Sequence, residues 1–402
     1  MALLSVADAL ARVIEGVAPV AVEHVALNEA EGRVLAEDLV ARRTQPPEDL
    51  SAMDGYAVRA TDVANAPARL KLIGEVAAGR PFPGTVGTGE AARIFTGGVL
   101  PAGSDTVVIQ ENTSRGGDVV VVNTPASKAK NVRPAGLDFR QGHVGLRAGR
   151  RLTGRDVALA AAMNHATLAV RRRPKIAIVA TGDELVPPGT EPGPGQIVYS
   201  NVFALAAVAR REGADVIDLG ILPDRLEETV AGVRRARELG ADVLVTAGGA
   251  SVGDYDLVQP ALAAEGLALS FWKVAVRPGK PLLSGRLGAM RVLGLPGNPV
   301  SAYVCSVLFL VPLIRSLSGR SDVSLPVSSG VLGRDLKDND ERADYLRATL
   351  TLRDGRPVVT PFPLQDSSML VPLAQADCLV IRAPHAPAAK AGAACQFVKL
   401  DD

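Results

Sequence analysis

Between Pro174 and Ser318, strand-like and helix-like runs alternate without a break, and this restricts the fold more than any other feature of the chain. The runs KIAIVA, DVIDLG, DVLVTA, FWKVAV and RVLGLPG are short and apolar. Interleaved with them, FALAAVARREG, LEETVAGVRRAREL, LVQPALAAEG and PVSAYVCSVLFLVPLI carry helical spacing. That is the βαβ signature, and it predicts a mostly parallel sheet with helices on both faces. In such a sheet ligands bind outside the carboxyl ends of the strands, so the turns that follow each strand are where chemistry is expected.

A chain of 402 residues exceeds what one hydrophobic core usually covers, and its patterning divides accordingly. The segment MALLSVADALARVIEGV places Leu3, Leu10, Ile14 and Val17 at helical spacing. Asp8, Arg12 and Glu15 interrupt it, so it reads as an amphipathic helix and not as a signal peptide. Residues 46–145 instead show β-rich runs such as RLKLIGEV, DTVVIQE and DVVVVN among Gly and Pro, and helical patterning resumes at DVALAAAMNHA. The expected division is a discontinuous N-terminal part (1–45 and 146–173), an inserted β domain (46–145), the α/β domain (174–320) and a C-terminal β domain (324–402). Within the last, Asp354-Gly355 marks a hairpin turn.

Lys plus Arg number 44 against 43 Asp plus Glu, a net charge of +1, so no whole-chain field favours nucleic acid or an anionic membrane. Aromatic residues at 3% leave few platforms for base stacking. Cys305, Cys378 and Cys395 form no CxxC pair or disulfide framework, which suits a reducing cytoplasm. His24, His143, His165 and His385 never approach HExxH spacing and receive no catalytic role. The longest apolar run, YVCSVLFLVPLI, falls short of the ~20 residues a bilayer span requires, so no membrane segment is expected.

Five strand-terminal segments stand out: TGDEL (181–185), LPDR (222–225), TAGGASVGDYD (246–256), RPGKP (277–281) and LPGNP (295–299). Gly248, Gly249 and Gly253 would let backbone N–H groups turn toward an anion; the same residues with Ser251 would equally make a tight capped turn. Glu184 and Asp256 follow different strands and together outline a Mg²⁺ site, since that ion favours one or two carboxylates plus phosphate and water. Each alone would be an ordinary surface acid. Lys273, Arg277 and Lys280 form either an oxyanion receiver or a solvated basic edge. Pro296, Gly297, Asn298 and Pro299 open the last helix, with Ser301 in its first turn; this is a helix start whose N–H groups could also take a phosphate. Outside this domain, SAMDGYAV carries Asp54 and FTGGVLPAGSDTVV carries Thr96, both in turns.

SAMDGYAV, IFTGGVLPAGSDTVV, NVRPAGLDF, IVATGDEL, VLVTAGGASVGDYD, RPGKP and LGLPGNPVSAY occur here in the order found in molybdopterin molybdenumtransferases, and over the whole chain the sequence resembles that family, which includes MoeA and the E domain of gephyrin. The resemblance implies an elongated, four-part protomer: a helical and extended linker domain, an inserted β domain, a three-layer MogA-like α/β domain that binds molybdopterin, and a C-terminal β-barrel. It implies a homodimer whose active site is shared, so that Asp54 and Thr96 act on the partner's α/β domain. The implied reaction inserts molybdenum from molybdate into adenylylated molybdopterin, with AMP released in a divalent-metal-dependent step in the cytoplasm. Molybdopterin adenylyltransferase is the implied upstream partner.

Carried over residue by residue, the family pattern assigns Mg²⁺ to Glu184 and Asp256, molybdate to Lys273, Arg277 and Lys280, and required acids to Asp54 and Asp224. Thr181, Gly182, Asp183, Gly248, Gly249, Ser251, Gly253, Pro296, Gly297, Asn298, Pro299 and Ser301 would hold the pterin substrate. Two positions depart from the family pattern: Ala250 stands where Val is commoner, and Arg277 where Lys is frequent. The second changes a point donor to a planar fork. Two other functions compete, a non-catalytic pterin-binding scaffold and an unrelated nucleotide hydrolase on the same α/β fold. Glu184, Asp256, Asp54 and Lys280 disfavour the scaffold, and the N-terminal motifs disfavour the hydrolase.

Overall fold

A computed structural model describes residues 3–248 and 257–400. Helix α1 (Val6–Ile14) begins at Ser5, whose hydroxyl accepts the Asp8 N–H at 3.1 Å. It buries Ala9 and Val13 and lays Val6, Leu10 and Ile14 against the central core, the face its spacing predicted. The strand Val22–Ala26 then pairs antiparallel with Thr167–Arg171, which also pairs with Val34–Leu35. Chain from before and after the β-rich region is thereby stitched into one sheet. Helix α2 (Gly154–Ala162) packs beside it, with Ala160 in a core of Leu35, Leu39, Leu152, Met163 and Leu168.

Between these segments lies a six-stranded sheet of Gly55–Val58, Ala68–Val76, Glu90–Ile94, Thr106–Ile109, Thr113–Gly116 and Val119–Val122. Its strands alternate sides, so Tyr56 and Val58 enter one apolar cluster while Ala57 enters the other. Gly55 sits where a Cβ would meet the Val108 carbonyl oxygen at 2.0 Å, so the SAMDGYAV turn passes into its strand with no space for a side chain.

The central sheet contains β1 (Lys175–Thr181), β2 (Asp215–Leu222), β3 (Val243–Ala247), β4 (Ala268–Trp272), β5 (Leu283–Leu287) and β6 (Met290–Leu295), in the order β2-β1-β3-β6-β5-β4. β2, β1, β3 and β6 run parallel, as the alternation predicted. β5 was not anticipated. It is antiparallel to both neighbours and forms a tight hairpin with β6, because LLSGRL and MRVLGL are separated only by Gly288 and Ala289. Helices α3 (Asn201–Arg211), α4 (Leu226–Glu238) and α5 (Val258–Ala264) stand where the sequence placed them.

The last helix, α6 (Pro299–Leu317), corrects the reckoning made from the apolar run alone. Pro299, Val300, Ser301 and Ala302 before that run and Arg315, Ser316 and Leu317 after it extend it to 19 residues, long and apolar enough by length and composition to cross a bilayer. Its Val300, Val304, Phe309, Leu310, Leu313 and Ile314 are all buried in the central core, so its apolarity is that of a core helix. A single π-type turn over Ser306–Leu310 precedes Pro312, which lacks an N–H for regular helix bonding.

The C-terminal strands Ser328–Leu332, Ala343–Arg353, Arg356–Pro361, Cys378–Arg382 and Ala394–Lys399 close into a barrel, since Ala343–Arg353 pairs with both Arg356–Pro361 and Cys378–Arg382. The hairpin turn falls at Asp354 and Gly355, both at positive φ. Val276–Arg277 adds to the barrel beside Ala343–Asp344 and so couples it to the α/β domain.

Candidate functional site

The carboxyl ends of β1, β3 and β6 open onto a cleft of about 650 Å³. Thr181 and Glu184 line it from the β1 turn, Gly248 from β3, and Pro296, Gly297, Asn298, Pro299 and Ser301 from the β6 turn into α6. The turns meet closely. The Gly248 N–H donates to the Leu295 carbonyl at 3.1 Å, and a Cβ on Gly297 would lie 3.7 Å from the Gly248 Cα. Gly248 has φ +106°, where an L side chain is strained, so glycine is what allows the strand end to turn here. At Gly182 a Cβ would sit 2.3 Å from the Glu184 carboxylate, which leaves that side chain its place in the cleft.

Two helix N-termini converge on the same space. Ser200 and Asn201 bring the start of α3, and Pro299 brings the start of α6. Partial positive charge at both ends suits an anionic ligand. The Asn201 side-chain amide donates to the Gly297 carbonyl at 2.7 Å and so pins one helix start to the other turn. Tyr199 also lines the cleft; burial, together with Asp218 at 3.4 Å, pushes its phenol pKa up, so it is a neutral hydroxyl.

Asp183 and Asp224 are joined reciprocally: the Asp183 N–H donates to the Asp224 carboxylate at 3.3 Å and the Asp224 N–H to the Asp183 carboxylate at 3.1 Å. They tie the β1 and β2 turns together beside the cleft without lining it. Asp256, Gly249, Ser251 and Gly253 lie outside the described residues. Among the described residues no group of three or more His, Cys, Asp or Glu converges as a metal site, and Glu184 is the carboxylate the cleft presents. A lone carboxylate is compatible with Mg²⁺, which accepts ligand phosphate oxygens and water for its remaining positions.

The three cations expected around RPGKP take three different environments. Lys280 is exposed next to Pro281, which lines the cleft. Lys273, at φ +77°, interrupts the expected FWKVAV strand and stacks its ammonium 4.2 Å from the Trp272 ring centre. Arg277 faces the barrel instead: it donates to Asp340 at 2.8 Å and Asn339 at 2.9 Å and pairs with Asp344. The Asp344 carboxylate raises its pKa further. Its planar fork is thus engaged with acids some sixty residues on in sequence, and its expected place as a molybdate donor is not what the side-chain geometry presents.

Asp54 and Thr96 meet each other, but neither lines the cleft of their own chain. The Thr96 N–H and hydroxyl both donate to one Asp54 carboxylate oxygen at 2.8 Å. Those two bonds, the backbone one first, hold the Asp54 carboxyl below the ordinary aspartate range.

Sequence reasoning missed the contribution of the C-terminal part. Ser368 lines the cleft, the Asn298 amide donates to the Ser367 hydroxyl at 3.0 Å, and the Val300 N–H donates to the Ser367 carbonyl at 3.1 Å. Arg347, 1% exposed, holds this loop by donating to the carbonyls of Met369 at 2.9 Å and Asp366 at 2.8 Å. No spacing in the sequence signals that contact. Asn201 was detectable, because Ser200-Asn201 directly before an apolar-periodic run is a helix-start signal.

The chain matches family descriptions along almost all of its length. Residues 4–164 match the MoeA N-terminal region (domain I and II), 177–316 a probable molybdopterin binding domain, and 329–400 the MoeA C-terminal region (domain IV). A molybdopterin molybdenumtransferase of Nostoc sp. is 40% identical over 342 residues, covering 83% of this chain and 78% of the relative. That of Haemophilus influenzae is 34% identical over 366 residues, 90% of each. Among solved structures, the molybdopterin biosynthesis MoeA protein from Pyrococcus horikosii superposes with a TM-score of 0.86 at 30% identity, covering 100% of both chains.

Proposed function

The chain belongs to the molybdopterin molybdenumtransferase family, and on that premise we propose that it inserts molybdenum from molybdate into adenylylated molybdopterin, releasing AMP in a Mg²⁺-dependent step. The observation that carries this reading is the convergence of two helix starts, the Gly248 turn and the Glu184 carboxylate on one cleft. Phosphate oxygens need donors held in place, and the Gly297 and Asn298 N–H groups of the turn between Pro296 and Pro299, fixed by Asn201 and Ser367, would supply them.

Glu184 would hold the divalent ion, with Asp256 as its second carboxylate; the ion supplies charge neutralisation at the anhydride that is cleaved. Lys280 at the rim attracts molybdate, itself a dianion. Ser301, Ser368 and Asn298 offer neutral hydrogen bonds that orient the substrate without adding charge. In the same reading the enzyme works as a cytoplasmic homodimer, with Asp54 and Thr96 delivered to the partner's cleft, and receives its substrate from molybdopterin adenylyltransferase.

The test supplies purified protein with adenylylated molybdopterin, Mg²⁺ and molybdate, and follows AMP release alongside reconstitution of a molybdoenzyme. Release that requires all three components is expected. The variant Glu184→Gln should lower turnover more than it weakens pterin binding, because the metal acts mainly on charge that develops in the transition state. AMP no higher than in a protein-free control would rule out the enzymatic reading.

A further inference from the structure

At the opposite end of the central sheet from the cleft, where β6 starts and α1 ends, lies a cavity of about 320 Å³. Arg12, Arg286 and Arg291 line it together with Glu15, Ser270 and Ser284, and a second cavity of about 320 Å³ shares Arg286 and Arg291. Arg291 is 9% exposed, yet among the described residues its one hydrogen-bond acceptor is the Glu15 backbone oxygen at 2.8 Å. Among the described residues Arg12 donates to the Ser270 carbonyl alone, at 3.3 Å, and Arg286 projects from β5 with no acceptor.

Other buried or half-buried arginines are treated differently in this molecule. Arg315 and Arg320 share the Glu212 carboxylate, Arg172 forks onto Asp242, and Arg347 spends its donors on carbonyl groups. Burial first, and then the neighbouring Arg286, pull the Arg291 pKa down, while Glu15 pulls it up. Arg12 and Arg286 are exposed and Arg291 is the desolvated guanidinium. Among the described residues Glu15 is the one carboxylate lining this cavity, and Asp242 in the second is already forked by Arg172, so Arg291 has no carboxylate of its own, which is costly for a buried cation.

We propose that this cavity is a binding site for a phosphate-type dianion, gripped by Arg12, Arg286 and Arg291 with hydroxyl donors from Ser270 and Ser284. The site is separate from the cleft and independent of the function assigned to it. An ion seated there would bind α1 and the β5–β6 hairpin together, joining the N-terminal segment to the floor of the α/β domain. A fork-shaped donor matches a tetrahedral oxyanion, and the cavity has room for the ester substituent of a small phosphate monoester as well as for the free ion.

The full chain is titrated with sodium phosphate, sodium sulfate or glycerol phosphate at ionic strength held constant by NaCl, and binding is read by calorimetry and by the unfolding temperature. Saturable binding is expected, weakened about tenfold or more in the double variant Arg12→Gln/Arg286→Gln, both residues being exposed and so dispensable for folding. Glu15→Gln should tighten it. Sulfate and phosphate binding equally assigns a free oxyanion, and preference for glycerol phosphate assigns the ester; both support the site. A parent-like response in Arg12→Gln/Arg286→Gln, or a rise in unfolding temperature that NaCl alone reproduces, overturns it.

Discussion

A Cβ on Gly279 would stand 2.3 Å from the Cys305 sulfur, and its φ of +118° lies where L side chains are strained. Gly279→Ala is therefore expected to lower stability by about 2–4 kcal/mol, read from denaturant midpoints, because strain and overpacking add at one atom. Cys305 has no means of yielding: it is buried, and that burial pushes its thiol pKa up to about 12, so alkylating reagents at neutral pH should leave it unlabelled in the native protein. Asp54 gives a pH prediction. Its folded-state pKa is depressed by the Thr96 N–H and hydroxyl, so the ionised, clamped form persists above the usual aspartate range and is lost only as pH falls through the lowered value. Thr96→Val keeps the backbone donor and removes the hydroxyl, so the acid limb of the turnover profile should move to higher pH. An unmoved limb would show that Asp54 ionisation does not govern it. At this scale the sequence was readable wherever a residue acts with close neighbours, as in the Pro296–Pro299 turn. It was opaque at Arg277, because Asp340 and Asp344 are brought to it only by barrel pairing.

Elements owe their positions to signals of different range. The periodicity of β1, β2, β3 and the helices between them is local, so it could be read directly. β6 was read as the run RVLGLPG, but β5 escaped because LSGRL carries only Leu283 and Leu287 as apolar residues around Ser284, Gly285 and Arg286, and so shows neither an apolar run nor strict alternation. α2 shows a local signal with measurable weight. Thr153 and Asp156 form a capping box: the Thr153 N–H and hydroxyl donate to the Asp156 carboxylate at 2.9 and 2.8 Å. Burial pushes the Asp156 carboxyl up, but the Arg150 guanidinium and the Thr153 donors more than offset it, and its pKa falls below the ordinary value. The contribution is thus present above the usual aspartate range and disappears as pH drops through the depressed value. Asp156→Ala should cost about 1–2 kcal/mol at neutral pH, and the difference from the parent should shrink on acidification. Urea titrations at pH 7 and pH 3 would expose a constant difference, which would count against the cap.

For the molecule as a whole, the question is how two groups of residues that never meet within one chain could serve one reaction. The cleft is lined by the α/β domain and by Ser368 from the C-terminal part, while Asp54 and Thr96 are clamped to each other in the inserted sheet and line no part of it. Nothing in the spacing of the motifs conveys this separation; only the family resemblance did, through its homodimer with a shared site. If the partner supplies the Asp54 turn, chains carrying Asp54→Ala and chains carrying Glu184→Gln should each be nearly inactive alone. Mixed and allowed to exchange, they should recover activity, because a hybrid dimer contains one site with both wild-type residues and one with neither. Random pairing makes half the dimers hybrid and half their sites intact, so recovery should approach about one quarter of the parent value when each variant is otherwise silent. Hybrids verified by differential tagging that stay inactive would place Asp54 and Glu184 in the same chain's site, and would require the inserted sheet to swing onto the cleft instead.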